Sequence, residues 1–263
     1  MSTPPVAPIH AAAAVALPAI PAEPSVARPF RLRPGRVEIW RIDLDEHRHR
    51  LAEMRDVLAA DESQRAGRFR AALDADLYVL TRGWVRVLLG AHLAVDPRHV
   101  VIERGWNGKP VLGRGQGRGH ARFNVSHSGS LACVAIALDH EVGVDVERVR
   151  AGVATDRLAE RFFSPGEIAA LDSVAVEDRD EAFFTCWARK EAYVKALGSG
   201  LAEPLDRFEV SVLPGQQPAL LEIAGRPGEA ARWTLLDVPV GDGYAGALAV
   251  RGTGFEVGYW RGP

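Results

Sequence analysis

"EVGVDVERV", residues 141–149, decides how the rest of the chain is read. As a strand it sends Val144 and Val146 to one face and Asp145 and Glu147 to the other, because successive strand side chains alternate. Two carboxylates on one strand face repel unless solvent, a basic side chain or a metal ion stands between them. What lies opposite the pair is the question the remaining residues must answer.

On its N-terminal side, "RFNVSHS" (122–128) and "SLACVAIALD" (130–139) read as strands. "HVVIERGWNGKPVL" (99–112) reads as strand, Asn107-Gly108 turn and second short strand, and "GRGQGRGH" (113–120) as a Gly-rich loop. From Leu51 to Leu89 the period is helical, with Leu77, Leu80, Trp84 and Leu88 in a stripe beside Arg82 and Arg86. The expectation there is two helices joined near "DESQ" (61–64). "GRVEIWRIDLD" (35–45) is the opening strand. On the C-terminal side, "DRLAERFFSPGEIAAL" (156–171) and "EDRDEAFFTCWARKEAYVKALG" (177–198) read as helices, the second ending at Gly198. Five strands follow: "RFEVSVL", "ALLEIAG", "RWTLLDVPV", "GYAGALAVRG" and "FEVGYW". Strand, helices, strands, helices, strands is an α+β order with no βαβ alternation. The expected division is a leader over 1–34, an N-terminal half over 35–138 and a C-terminal half over 139–263.

Bulk properties set limits. With 263 residues, 47% of them hydrophobic and 25% charged, the chain has a globular composition. A net charge of −2 argues against a general nucleic-acid binder, so an anionic ligand must be met by local charge. Cys133 and Cys186 lie in apolar stretches and read as reduced core residues. "AAAAVALPAI" (11–20) is too short to span a bilayer, and no Lys or Arg precedes Arg28, so a disordered leader and a cytoplasmic protein without membrane attachment are expected.

Several groups can answer the opening question. On the 177–198 helix, Glu191 and Lys195 are four apart and share a face, while Phe183, Phe184, Trp187, Val194 and Leu197 supply the stripe expected to press on a sheet. Asp145, Glu147 and Glu191 would then converge, and three hard oxygen donors suit Mg²⁺, which takes its remaining ligands from water and substrate phosphates. In "NVSHS" (124–128), Ser126 and His127 stand where a strand runs into a turn, a corner that offers hydroxyl, imidazole and backbone N–H donors to an anion. Lys109 protrudes from the "GKP" turn (108–110), and Arg65 and Arg68 lie in "QRAGRFR" (64–70). Each group also has an ordinary reading: a solvated edge strand, a surface Glu-to-Lys pair, a turn-stabilising histidine, an idle turn lysine. His47 and His49 in "EHRHR" read as an exposed, solvated run.

Together, "NGKPVL", "FNVSHS", "GVDVE", "RFFSPGE" and "FFTCWARKEAYVKALGSGL", in that order between residues 107 and 201, resemble the surfactin-type (Sfp-type) 4′-phosphopantetheinyl transferases. The resemblance implies two similar α+β halves, pseudo-symmetrically related, with a coenzyme A cleft between them, and a monomer. It implies transfer of the 4′-phosphopantetheine arm of coenzyme A to a serine of an apo acyl or peptidyl carrier protein, with release of 3′,5′-ADP. It further implies Mg²⁺ at Asp145, Glu147 and Glu191, catalysis by Glu191, Lys195 and Asp145, and Lys195 at the pyrophosphate. Ser126 and His127 would meet the nucleotide and its phosphates, Lys109 would lie near the adenosine end, and Arg65, with Arg68 beside it, near the 3′-phosphate. Glu62 falls where relatives carry a further base. A non-catalytic module that binds coenzyme A or a carrier protein is the alternative, and a metal-dependent phosphohydrolase is a third reading.

Overall fold

The computed structural model describes residues 32–116, 121–152, 155–198, 203–213 and 215–262. The expected leader up to residue 31 and the last four residues of the Gly-rich loop lie outside them. In chain order the elements are β1 (Arg36–Asp43), α1 (Leu51–Asp56), α2 (Ala60–Ala66), α3 (Ala72–Leu93), β2 (Ile102–Arg104), β3 (Pro110–Leu112), β4 (Ala121–Ser128), β5 (Leu131–Leu138) and β6 (Val142–Arg148). After them come α4 (Thr155–Phe162), α5 (Pro165–Asp172), α6 (Arg179–Leu197), β7 (Phe208–Val210), β8 (Leu220–Ile223), β9 (Trp233–Asp237), β10 (Tyr244–Arg251) and β11 (Glu256–Arg261).

The α+β order is the one expected, with two local corrections. "DESQ" is not a joint between two helices but the body of α2, because Glu62 is buried there and pinned by two arginines of α3, Arg82 Nε to Oε1 and Arg86 Nε to Oε2. The 156–171 stretch is two helices, since Ser164 accepts from the Glu167 N–H and starts α5 afresh, with Pro165 at its first position.

Two sheets form the framework. One runs β11-β1-β5-β4, the other β6-β10-β9. Alternation along β1 and β5 gives the first sheet two buried faces: Trp40, Ile42, Ala132, Val134 and Ile136 pack with α3, while Val37, Ile39, Cys133, Ala135 and Ala137 meet Val142, Val144 and Val146 of β6 and Leu248 and Val250 of β10. The other face of β10, Ala245, Ala247 and Ala249, packs with α6. The layers are therefore helix, sheet, sheet, helix, which is the two-half α+β architecture. Sequence order and sheet membership part company at the end of the chain, because β11 returns to pair in parallel with β1 from Arg36↔Glu256 to Arg41↔Arg261.

Both cysteines are free and buried. His47 is not part of a solvated run; its ring packs 5.2 Å from that of Trp84. No helix among the described residues is long and apolar enough to cross a membrane.

Candidate active site

Position 143 explains why the acids of β6 meet α6. A Cβ on Gly143 would run into the Ala192 carbonyl oxygen and the Ala196 nitrogen, so only glycine lets the helix lie directly on the strand. The face of α6 that meets β6 is thus its small-residue face, not the Trp187 stripe expected from the spacing. Trp187 and Phe183 instead join Phe162 and Phe163 in an aromatic cluster, with ring separations of 5.1 to 6.3 Å. The helix itself is capped as its sequence dictates: Asp180 and Glu181 lie in the first turn, Lys195 in the last, and Gly198 closes it with φ 69°.

This packing sets Lys195 across from Asp145. Its ammonium stands 2.5 Å from Asp145 Oδ1 and donates to Ser126 Oγ at 2.9 Å, while Ser126 Oγ donates to Asp145 Oδ1 at 2.8 Å. No ion pair joins Lys195 to Glu191 along the helix among the described residues; the lysine is spent across the seam. Asp145 is 2% exposed and its Oδ2 is buried with no hydrogen-bond partner. Burial pushes the Asp145 carboxyl above the usual carboxylate range, against the pull of Lys195. Glu147 and Glu191 are also raised, first by burial and next by the charge of Asp145.

Residues 124–128 are strand to the last, paired with β5 from Asn124↔Ala135 to Ser128↔Leu131. The turn expected at His127 begins at Gly129, whose φ is 58°. Alternate side chains of β4 reach β6: Asn124 Oδ1 accepts from Val144 N (2.9 Å), Ser126 binds Asp145, and Ser128 Oγ donates to Glu147 Oε2 (2.9 Å). A row of side chains thus joins two strands that belong to different sheets. His127 points off this row; it is an exposed residue, shifted below the usual imidazole range by partial loss of water and then by the Lys195 ammonium.

Lys109 does not protrude. Its ammonium donates to the carbonyls of Val142 (3.2 Å) and Ala196 (3.3 Å), and burial lowers its pKa. With Asn107 Nδ2 on the Gly198 carbonyl at 3.1 Å, it fastens the 105–110 turn to the end of α6. Between that turn, β4, α4 and α6 lies a cavity of about 580 Å³, whose walls include Lys109, Asn124, Glu191 and Lys195. Phe162, Val194 and Leu205 form its apolar side with Arg161 beside them, and none of these four stands out as a site residue by motif. Arg65 and Arg68 are exposed and do not line it; Arg65 lies over the Tyr78 ring. Asn124 and Ser128 escaped the sequence reading too, although they share the period of two with Ser126 that made Asp145 and Glu147 conspicuous.

Among the described residues no group of three or more His, Cys, Asp and Glu side chains stands ready to hold a metal ion. The expected three-acid Mg²⁺ site is therefore not preformed: Lys195 holds one Asp145 oxygen. The donor set still fits a divalent cation. Asp145 Oδ2 is an orphaned buried oxygen, and Glu147 and Glu191 are raised by burial and then by the Asp145 charge.

The profile of the 4′-phosphopantetheinyl transferase superfamily matches residues 141–249, and that of the 4′-phosphopantetheinyl transferase N-terminal region matches 45–139. 4′-Phosphopantetheinyl transferase HetI of Nostoc sp. is 35% identical over 225 residues, 86% of this chain and 92% of the relative. 4′-Phosphopantetheinyl transferase psf-1 of Bacillus pumilus is 28% identical over 70% of this chain and 76% of its own. A 4′-phosphopantetheinyl transferase of Bacillus subtilis is 29% identical over 60% and 67% respectively. On this overlap, which runs through the β4–β6 seam and α6, the chain belongs to the 4′-phosphopantetheinyl transferase superfamily.

Proposed function

We propose that the protein transfers the 4′-phosphopantetheine arm of coenzyme A to a serine hydroxyl of an apo acyl or peptidyl carrier protein, in a Mg²⁺-dependent reaction that releases 3′,5′-ADP. The observation that carries this reading is Lys195 paired with the orphan-bearing Asp145, with Glu147 and Glu191 within reach of the Asp145 charge and Lys195 and Glu191 in the wall of a cavity between the two halves. The new bond joins the serine oxygen to the phosphorus next to pantetheine, and the pyrophosphate bridge breaks toward 3′,5′-ADP. Asp145, Glu147 and Glu191 would hold Mg²⁺, which when bound supplies positive charge against the pyrophosphate oxygens.

The chain's own residues do the rest. Lys195, already at the cavity wall, offers its ammonium to the charge that gathers on the phosphate oxygens. Glu191 takes the proton of the incoming serine, directly or through one water. Its raised pKa, caused by burial and then by Asp145, makes it a stronger base than an ordinary carboxylate. The apolar wall of Phe162, Val194 and Leu205 suits the pantetheine arm, and Lys109 with Asn124 suits the nucleotide. Ser126 and His127 do not line the cavity, and they would meet the phosphates only from beside it, on β4. Arg65, on the solvent side of α2, and Arg68, just past its end, fit the 3′-phosphate only as an outer contact.

Incubating the full chain with coenzyme A, Mg²⁺ and several apo carrier proteins, then weighing the carriers intact, tests the proposal. A phosphopantetheine-sized gain is expected. Asp145→Ala should abolish the gain, roughly a 10³-fold loss or more for one member of an interdependent set, while keeping the wild-type circular dichroism. Bound coenzyme A without a mass gain on any carrier would sink the proposal in favour of a binding module.

A further inference from the structure

Glu147 stands in a repulsive place. Asp145 shares its strand face, and Glu191 looks on from α6, so Glu147 is raised by burial and next by the Asp145 charge. A half-buried glutamate with three rotatable bonds swings away from such neighbours unless it is tethered. Among the described residues a single hydrogen bond reaches its carboxylate, from Ser128 Oγ to Oε2 at 2.9 Å. The same hydroxyl accepts from Arg148 N at 3.1 Å. Because the backbone N–H of β6 fills an acceptor site of the hydroxyl, the Ser128 proton is aimed at Glu147 rather than free to rotate. The Ser128 backbone is fixed in turn by its pairing with Leu131 in the β4–β5 ladder.

We infer that Ser128 is a positioning residue: it relays the main chain of β6 to the Glu147 carboxylate and fixes Oε2, leaving Oε1 toward the acid cluster. This deepens the Mg²⁺ reading above and rests on it. It also separates the two serines of the row, since Ser126 serves Asp145 and Lys195 whereas Ser128 serves Glu147 and the Arg148 N–H.

The test compares the full-length wild type with Ser128→Ala and Ser128→Thr. Mg²⁺ is titrated calorimetrically into each protein with coenzyme A present and no carrier, and half-saturating Mg²⁺ and kcat are measured separately in the transfer assay. Ser128→Ala should weaken Mg²⁺ roughly tenfold in both, the lower end of what loss of a ligand-orienting partner costs. Its kcat at saturating Mg²⁺ should stay within about twofold and its Tm within about 2 °C, and Ser128→Thr should recover most of the affinity. Unchanged Mg²⁺ affinity in Ser128→Ala, or a Thr variant as weak as the Ala variant, overturns the assignment. Crystals of the three proteins without metal decide the matter independently: Glu147 should hold one conformer in wild type and Ser128→Thr and leave it in Ser128→Ala. An unmoved Glu147 there overturns the inference, whereas a wild type that binds no Mg²⁺ with coenzyme A overturns the Mg²⁺ reading.

Discussion

Gly143 shows how one residue without a side chain sets the geometry of four with them. Asp145 and Glu147 stand out in the sequence by their charge, and the glycine two positions before Asp145 does not. Yet the helix backbone at Ala192 and Ala196 occupies the space of a Cβ there. Replacing Gly143 with Ala pushes α6 off β6. It should cost about 2–4 kcal/mol as overpacking against rigid backbone, read as a Tm about 4–16 °C lower. It should also reduce transfer activity beyond what the lost folded fraction explains, because Glu191 and Lys195 ride on the displaced helix. A Tm within 2 °C of wild type would contradict this packing. The charge of Asp145 was legible from alternation alone. That Lys195 would face it, and not Glu191 four residues back, was not, because an i,i+4 spacing says nothing about what lies across from the helix.

Helix α6 was legible as an element, from its first-turn acids to the glycine that ends it, but its inner face was not. Its sequence has charge on every side, including Arg189 and Lys190, for which the sequence alone names no partner. Both are buried: Arg189 forks onto Asp237 (2.9 and 2.7 Å) and reaches the Ser211 carbonyl, and Lys190 donates to both oxygens of Glu167 (2.6 and 2.5 Å) and to the Phe208 carbonyl. Glu167 in turn caps Ser164 N and accepts from Val210 N, so one carboxylate ties α5, α6 and β7 together. Lys190 and Glu167 are both 0% exposed, so removing one strands the other without water. Lys190→Met should therefore cost about 3–5 kcal/mol, a Tm loss of about 6–20 °C by thermal circular dichroism. A variant as stable as wild type would mean that Glu167 is neutral in the native state. Buried ion pairs of this kind escape sequence reading because both partners look like surface residues until the fold places them face to face.

At the scale of the whole molecule, the two-half architecture followed from element order, and the exchange of the last strand did not. "FEVGYW" reads as any amphipathic strand. Its destination is the edge of β1, one of several edges the two sheets leave open before it pairs, and spacing alone does not choose among them. There Trp260 stacks on Trp40 at 5.7 Å and donates to Glu38 Oε2 at 2.5 Å, while Arg36 bridges Glu38 (2.6 Å) and Glu256 (2.5 Å). Deleting residues 256–263 exposes the β1 edge and the Trp40 ring. The truncated protein is expected to melt at a lower temperature and less cooperatively than the parent, and to run as aggregate in size-exclusion chromatography, since an unpaired apolar edge recruits other chains. A truncation that stays monodisperse and melts like the parent would show that β11 is dispensable.

The return of β11 also orders events during synthesis. The sheet that begins at residue 36 takes its last strand from residues 256–261, so it cannot be finished until those residues, some 220 positions after its first strand, have left the ribosome. A fragment ending near residue 139 would emerge with an incomplete sheet, and neither piece is a self-sufficient unit for expression or for swapping with a relative. A chimera between two such enzymes has to carry its C-terminal strand from the same parent as its first.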